Sequence, residues 1–348
     1  MIEPILIFKF ALAIIVFAIS LGVAAYATYG ERKIAGLFQD RFGPNNAGPW
    51  GLLQPLADGG KMFFKEDFIP AASEKFLFII APGIAMFTAL MTSAVIPWTS
   101  AIVIAGIPYQ VQLADIDVGI LYVFGFVSMG VYGIMIGGWA SNNKYSLMGA
   151  IRASSQMISY ELAMGLALLA VIMMTGSLGL NEIVDHQKGS LFGFLPNWNV
   201  FKQPVGFLVF LICAFAETNR APFDLPECET ELVGGYHTEY SSMKLGLFLF
   251  AEYINMFVSS AIIATIYFGG YNLPLIGRFI TDPNTLAVVG FLVFFVKILF
   301  FIFLYMWVRW TLPRFRYDQL MHLGWKSLIP IAIINLLVTA GFLILKEY

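Results

Sequence analysis

The sequence predicts an all-α polytopic membrane protein. Three observations support this prediction: 59% of the 348 residues are apolar, only 12% are charged, and the apolar residues fall into eight long stretches. A soluble domain has about 25% charged residues, and a helix that spans a bilayer needs about 20 mainly apolar residues. The mean hydropathy of +0.79 agrees with this class. An outer-membrane barrel would instead show short alternating segments, and the sequence has none.

The eight stretches have the length and composition of membrane-spanning helices. They cover residues 5–29, 76–97, 118–140, 157–175, 200–216, 245–268, 286–307 and 328–345. Only five of their 170 residues are charged, whereas the other 37 charged residues lie outside them. The fifth stretch is short and contains Pro204 near its start. The pattern predicts about eight transmembrane helices that form one transmembrane domain, residues 1–348.

The distribution of Lys and Arg predicts the orientation, because cytoplasmic loops carry the excess of these residues. Fourteen of them lie in the loops at about residues 30–75, 141–156, 217–244 and 308–327, and five lie on the opposite side. These four loops are therefore predicted to be cytoplasmic, with both termini in the periplasm of a bacterium and the chain in its inner (plasma) membrane. The first stretch has 25 residues and a basic flank after it, which favours a retained span over a cleaved signal peptide.

The first cytoplasmic loop is predicted to contain an interfacial helix at residues 50–65. Leu52, Leu56 and Phe63 alternate there with Asp58 and Lys61, the pattern of an amphipathic helix that lies in the membrane interface. A disordered linker is the alternative, and the aromatic and aliphatic content disfavours it.

Charged residues inside the stretches are candidates for function, because an ionisable group within a membrane costs free energy. Lys9 and Lys202 lie near the ends of their stretches, where lysine can extend to the interface. Glu161 and Glu252 lie one to two turns inside, and Lys297 lies near the middle of the seventh stretch. We interpret these three as parts of a proton route. The alternative is a buried ion pair between Lys297 and a carboxylate that only fixes the helix register.

The loop after the fifth stretch has the densest chemical signal. Its residues 217–239 contain one basic residue, Arg220, and six acidic residues, which are Glu217, Asp224, Glu227, Glu229, Glu231 and Glu239. Crowded carboxylates raise some of their own pKa values and can then exchange protons near neutral pH. The loop is therefore predicted to handle protons. A calcium site is the alternative, although the D-x-D-x-D-G spacing is absent.

Several functional classes are excluded by composition. Two cysteines cannot hold an iron–sulfur cluster or a zinc site, and a net charge of -2 gives no basic surface for nucleic acid. The sequence contains no GxxxxGK[ST], GxGxxG or HExxH motif. The residues alone therefore predict a membrane protein that moves protons, and they do not identify a substrate.

Five segments closely resemble one family, the H-type membrane subunits of the proton-pumping NADH:quinone oxidoreductase, respiratory complex I. The segments are ERKIAGLFQDRFGP (31–44), GLLQPLADGGKMFFKE (51–66), AETNRAPFDLPECETELVGGYHTEY (216–240), FAEYIN (250–255) and PRFRYDQLMHLGW (313–325). They extend from the first loop to the last. The resemblance implies a subunit that forms the quinone-binding chamber between the redox arm and the membrane arm, and that couples quinone reduction to proton translocation.

The resemblance also implies roles for individual residues. The residues of the quinone chamber and its entrance would be Glu31, Arg32, Arg41, Ala57, Asp58, Arg220, Phe223, Asp224, Glu227, Glu229 and Glu231. The proton route would contain Glu161, Glu217, Glu252 and Lys297. Quinone would be the substrate, with no cofactor on this chain and with flavin and iron–sulfur clusters on partner subunits. The implied partners are the hydrophilic quinone-module subunits, the antiporter-like membrane subunits and the lipid bilayer.

Two alternatives remain open at this point. The homologous membrane subunit of an energy-converting hydrogenase has the same architecture. A free-standing secondary transporter that uses Glu161 and Glu252 for ion exchange would be expected to contain an internal repeat. The two halves of the sequence show no repeat.

Overall fold

The computed structural model describes residues 2–104, 106–191, 195–225, 229–272 and 282–347. Within these residues, seven helices are long and apolar enough to cross a membrane. The strands described there form two small antiparallel pairs outside these helices. The predicted all-α polytopic membrane class is therefore confirmed.

The helices are numbered in chain order: α1 (Ile2–Phe38), α2 (Gln54–Phe64), α3 (Lys75–Thr92), α4 (Gly119–Ala140), α5 (Lys144–Thr175), α6 (Leu180–His186), α7 (Asn199–Lys202), α8 (Pro204–Glu217), α9 (Glu229–Leu232), α10 (Ser242–Tyr267), α11 (Pro283–Thr311), α12 (Tyr317–His322) and α13 (Ile329–Glu347). The strands are β1 (Thr99–Ile104), β2 (Ile107–Val111), β3 (Ser190–Leu191) and β4 (Leu195–Pro196). A π-helical turn, Leu323–Leu328, joins α12 to α13 into one long apolar helix.

The fifth predicted span differs from the prediction. It consists of the short helix α7 followed by α8, which has 14 residues. At 1.5 Å per residue, α8 is about 21 Å long, against about 30 Å for the hydrocarbon core of a bilayer. Pro204 explains the break, because proline lacks an N–H and is accommodated at the first turn of a helix.

Several helices extend beyond the apolar stretches into the predicted loops. Residues 144–156, which hydropathy placed in a cytoplasmic loop, form the first turns of α5. The Asn143 side chain caps this helix by accepting a hydrogen bond from the Tyr145 N–H at 2.9 Å. Hydropathy misses these turns because they contain Lys144 and Arg152, although the helix continues through them.

The predicted interfacial helix is present as α2, which begins four residues later than the predicted start. Much of the apolar surface of α2 is exposed: Leu56 is 70%, Phe63 70% and Phe64 93% exposed. An apolar surface of this kind on a short helix is typical of a segment that lies in the membrane interface. Its C-terminal turn is tied to the start of α10, where the Ser242 hydroxyl donates to the Met62 carbonyl at 3.0 Å.

Small residues bring the long helices close together. A Cβ atom on Gly133 would lie 2.9 Å from the backbone nitrogen of Ala85, so α4 and α3 approach closely at this point. Gly137, one turn further along α4, packs against the Phe248 ring of α10 in the same way. Glycine permits such contact where a larger side chain would not fit. This packing holds α3, α4 and α10 around the candidate site.

Candidate functional site

A buried group of charged side chains surrounds Glu31, and we call Glu31, Arg220, Tyr253 and Arg309 the Glu31 cluster. One Glu31 oxygen lies 2.6 Å from Arg220 Nη1, and the other lies 2.5 Å from Arg309 Nη1. The Tyr253 hydroxyl donates a hydrogen bond of 2.9 Å to the same carboxylate. Glu31 is 5% and Arg220 4% exposed. The cluster therefore joins α1, α10 and α11 with the loop that follows α8.

Arg220 is the most enclosed cation of the Glu31 cluster. Its guanidinium lies 4.0 Å from the centre of the Tyr253 ring, a cation–π distance. Burial alone would lower the pKa of Arg220, but Tyr253 and the carboxylates of Glu31 and Glu252 outweigh it and raise that pKa above the ordinary value. Arg220 is therefore a permanent charge that acts on Glu31 and Glu252 together.

A buried turn holds Arg220 in place. The Gln156 amide of α5 donates to the Ala216 carbonyl at 2.8 Å and to the Phe223 carbonyl at 2.9 Å. Phe223 is 4% exposed and packs its ring against Tyr160. Since both ends of the turn are bound to α5, the position of Arg220 between them is fixed.

The acidic loop is tied to the basic segment after α11. Asp224 is buried and lies 3.2 Å from the Arg314 guanidinium. Glu231 forms an ion pair of 2.6 Å with Arg152 near the start of α5. Glu227 and the side chain of Glu229 lie outside the described residues. The predicted chamber residues of this loop therefore separate into Phe223 and Asp224, which are buried, and Glu231, which is at the surface.

The predicted entrance residues lie around α2. Asp58 accepts from Arg32 at 2.6 Å and from the Gln54 amide at 2.9 Å, which joins α2 to α1. Arg32, Arg41 and Gln54 line a surface cleft of about 640 Å³. Ala57 is exposed on α2 beside Asp58. Arg32 directly follows Glu31 in α1, so one turn of this helix contributes both to the cleft and to the Glu31 cluster.

A second cavity, which we call the membrane cavity, lies between α3, α4, α5, α8 and α10. Its volume is about 70 Å³, which is room for several water molecules. Glu217, Glu252 and Asn255 lie on its wall. The Tyr236 hydroxyl donates to Glu252 at 3.1 Å, and Glu217 Oε2 is buried with no hydrogen-bond partner in the described part of the chain.

Glu161 lies beside the membrane cavity, although it is not on the wall. The Ser128 hydroxyl of α4 has two acceptors within reach, a Glu161 oxygen in close contact and the Phe124 carbonyl at 2.8 Å. Glu161 lies between Met157 and Met164 on one face of α5, and both methionines share the cavity wall with Glu217. The structure therefore brings together three of the four residues predicted for the proton route.

Lys297 is separate from those three residues. Its ammonium donates to the carbonyls of Phe268, Gly270 and Asn272 at 2.7, 2.7 and 3.1 Å, and lies 4.9 Å from the Trp198 ring centre. Phe268 follows the end of α10, about 24 Å along the helix axis from Glu252. The alternative ion pair of Lys297 with Glu161 or Glu252 is therefore wrong, because backbone carbonyls beyond the helix end bind the ammonium instead. The place of Lys297 in a proton route stays a prediction.

Several residues of the site were not predicted from the sequence. Arg309, Tyr253, Tyr236 and Ser128 each contact one of the predicted carboxylates. Tyr253 directly follows Glu252 in the FAEYIN segment, and this neighbourhood is the one local feature of the sequence that could have indicated Tyr253 as a site residue. The others come from distant segments of the chain. Among the described residues, no three His, Cys, Asp or Glu side chains form a group that could hold a metal ion.

Comparison with known proteins places the chain in a family. The model of the NADH dehydrogenase family matches residues 10–340. The chain belongs to the NADH dehydrogenase family. A relative from Cytophaga hutchinsonii, named as an H subunit of NADH-quinone oxidoreductase, is 62% identical over 95% of each chain. The H subunit from Flavobacterium psychrophilum is 61% identical over 97% of each chain. A Rhodothermus marinus protein named NADH-quinone oxidoreductase subunit 8 is 51% identical over 91% of this chain and 92% of its own length.

The match of the NADH dehydrogenase family includes every candidate residue named above, from Glu31 to Arg314. The Glu31 cluster and the membrane cavity therefore both lie within the part of the chain that defines the family.

Proposed function

We propose that this chain is the H subunit of an NADH:quinone oxidoreductase, in which it forms the quinone-binding chamber and couples quinone reduction to proton translocation. The family membership and the names of the relatives support the enzyme class. One observation carries the coupling: Arg220 and Tyr253 both bind Glu31, and Tyr253 directly follows Glu252, which lies on the wall of the membrane cavity.

The chamber is proposed to begin at the cleft lined by Arg32 and Arg41 and to lead towards the Glu31 cluster. A quinone ring has carbonyl oxygens that accept hydrogen bonds, and the cleft offers cationic donors at its mouth. The exposed apolar residues of α2, such as Leu56 and Phe63, suit an entrance for an isoprenoid tail from the bilayer.

The proton route is proposed to start in the membrane cavity. Reduction of a quinone takes up protons and changes the charge in the chamber. Such a change reaches Arg220, which interacts with Glu31 and Glu252 in surroundings of low dielectric constant. Glu252, Glu217 and Glu161 are then the carboxylates that take up and release protons, because buried carboxylates exchange protons in response to a nearby charge more readily than exposed ones.

The remaining parts of the enzyme are proposed to lie on other subunits. Flavin and iron–sulfur clusters would belong to the redox arm, which would dock on the cytoplasmic loops through the hydrophilic quinone-module subunits. The antiporter-like membrane subunits would receive the coupling from Glu161 and Glu217. Purification of the chain with hydrogenase subunits in place of these partners would contradict the proposal.

The test replaces Glu161, Glu217 and Glu252 one at a time with Gln, which keeps the size and the hydrogen bonding but cannot titrate. Quinone reduction and proton pumping per assembled complex should fall together, by about tenfold or more. Electron transfer from NADH to a hydrophilic artificial acceptor should stay normal, because it bypasses the quinone. Asp185→Asn is the matched control, since Asp185 forms a surface ion pair with Lys188 and lines neither the cleft nor the membrane cavity. Normal specific activity in all three variants would exclude this proton route.

Both termini are proposed to lie in the periplasm, on the basis of the distribution of Lys and Arg. Single cysteines at positions 2 and 347 should then react with an impermeant thiol reagent added to intact spheroplasts. Reaction only after the membranes are broken would reverse the topology and place the docking surface on the other side.

A further inference from the structure

The membrane cavity changes character along its length. On α10 its wall follows one helix face, with residues three or four positions apart. The part of this face near the start of α10 contains Glu252, Asn255 and Ser259. The next two wall positions on the same face are Ile262 and Ile266. At 1.5 Å per residue, Ile262 lies about 15 Å and Ile266 about 21 Å along the axis from Glu252.

The other helices around the cavity show the same change. Glu217 lies at the end of α8 on the polar part, and Phe210, two turns earlier, lies on the wall beside Leu168 of α5. Leu180 of α6 completes this apolar part. Leu168 is 2%, Leu180 2% and Phe210 3% exposed, so little solvent reaches these side chains from any direction.

The polar atoms that remain beside the apolar part are already used within the protein. Thr88 and Thr92 of α3 lie on the wall, but each hydroxyl donates to a carbonyl of its own helix at 2.8 to 3.0 Å. Ser259, where the polar part ends, is hydrogen-bonded to Tyr305 at 2.9 Å. The Thr88 and Thr92 hydroxyls can still accept a hydrogen bond but have no proton left to donate, so the apolar part offers too few polar partners for a continuous chain of water molecules, and apolar cavities remain dry.

We propose that the apolar part of the membrane cavity, bounded by Ile262, Ile266, Leu168 and Phe210, is a dry barrier that prevents protons on Glu217 and Glu252 from crossing this subunit to the far side of the membrane. A hydrophobic constriction blocks ions by excluding water, and a proton needs a chain of water or titratable groups to move. The barrier deepens the proposed function, on which it rests, because it forces protons in the polar part to leave sideways or to return.

The test introduces a polar side chain into the barrier and measures passive proton leakage. The whole complex with Ile262→Asn is reconstituted into liposomes, a pH gradient is imposed without NADH, and its decay is followed with a pH-sensitive dye. We expect the decay to become several-fold faster than in the wild type. Leu168→Ser, on the opposite wall, should have the same effect and tests the barrier independently if Ile262→Asn fails to assemble.

The matched control is Ile263→Asn, because Ile263 is fully buried on α10 but is not part of the cavity wall. It should hold the gradient as well as the wild type. Assembled Ile262→Asn and Leu168→Ser complexes that both hold the gradient would overturn the barrier, as would equal leakage through the Ile263→Asn control. If the proposed function is wrong, the wild-type complex will not reduce quinone with NADH. That result differs from every outcome of the leakage test.

Discussion

The Glu31 cluster and the Glu161–Glu217 pair beside the membrane cavity both contain carboxylates, but Glu31 is buried whereas Glu161 and Glu217 are only partly buried. Glu31 has two arginines within 2.6 Å and a tyrosine hydroxyl at 2.9 Å. Glu217 has Glu161 as a charged neighbour, and its Oε2 atom has no partner among the described residues. The first region fixes a negative charge, whereas the second contains carboxylates whose charges oppose each other.

The difference shows how one residue type serves two purposes in a membrane. A carboxylate between two guanidinium groups is neutralised by them, and removing one partner leaves a buried charge without compensation. Two carboxylates close together in surroundings of low dielectric constant favour a state in which only one is charged. We infer that the Glu31 cluster supports structure and transmits charge, and that the Glu161–Glu217 pair exchanges protons.

The largest effect is expected from breaking the Glu31 cluster. Arg220→Met removes a buried cation and leaves Glu31 with one arginine, which should lower the free energy of unfolding by about 3–5 kcal/mol. The amount of assembled complex in membranes and the temperature at which it loses activity should both fall. Native gel electrophoresis and thermal inactivation measure these quantities.

Glu217→Gln is the control for this comparison, because Glu217 Oε2 has no hydrogen-bonding or ionic partner among the described residues. It should leave the amount of assembled complex close to that of the wild type while activity falls. If Arg220→Met assembled as well as Glu217→Gln, the two regions would not differ in the way described.

A smaller effect is expected at Glu161. Ser128→Ala removes the hydroxyl that contacts the Glu161 carboxylate and keeps the helix intact. A net hydrogen bond contributes about 0.5–1.5 kcal/mol, so pumping and quinone reduction should fall by about two- to tenfold together. Ser128→Thr, which retains the hydroxyl, should recover much of the rate. Equal activity in the alanine and threonine variants would show that Ser128 does not position Glu161.

The sequence predicted most of the helices and singled out the carboxylates within them because both signals are local. Apolar length identifies a membrane helix, and a charge inside such a helix is conspicuous wherever it packs. The predicted interfacial helix was found as α2 for the same reason, since an amphipathic pattern depends on neighbouring residues. The fifth span was predicted too long because hydropathy averages across Pro204.

The partners of these charges could not be predicted, because they depend on tertiary packing. Glu31 and Arg309 come from opposite ends of the chain, and nothing in either segment indicates the other. The alternative of an ion pair puts Lys297 beside a carboxylate, yet three carbonyls beyond the end of α10 bind it. Phe268 directly follows the last residue of α10, where carbonyls lack partners within the helix and carry partial negative charge, and the loop carbonyls of Gly270 and Asn272 complete the ammonium site. Hydropathy contains no information on where a helix end lies relative to another helix.

The smallest effect is expected at the ion pair of Asp58 and Arg32. This pair is partly exposed whereas the Arg220–Glu31 pair is buried, so the two pairs together test the effect of burial. The Arg32–Asp58 distance is 2.6 Å, as in the Arg220–Glu31 pair. The Asp58 side chain, however, is 27% exposed and the Arg32 side chain 51% exposed. Water and salt screen such a pair, so Asp58→Asn should lower the free energy of unfolding by at most about 1 kcal/mol. Thermal inactivation of the Asp58→Asn complex should approach that of the wild type as salt is added, whereas the deficit of Arg220→Met should persist. A loss in Asp58→Asn as large as that in Arg220→Met would show that burial does not separate the two pairs.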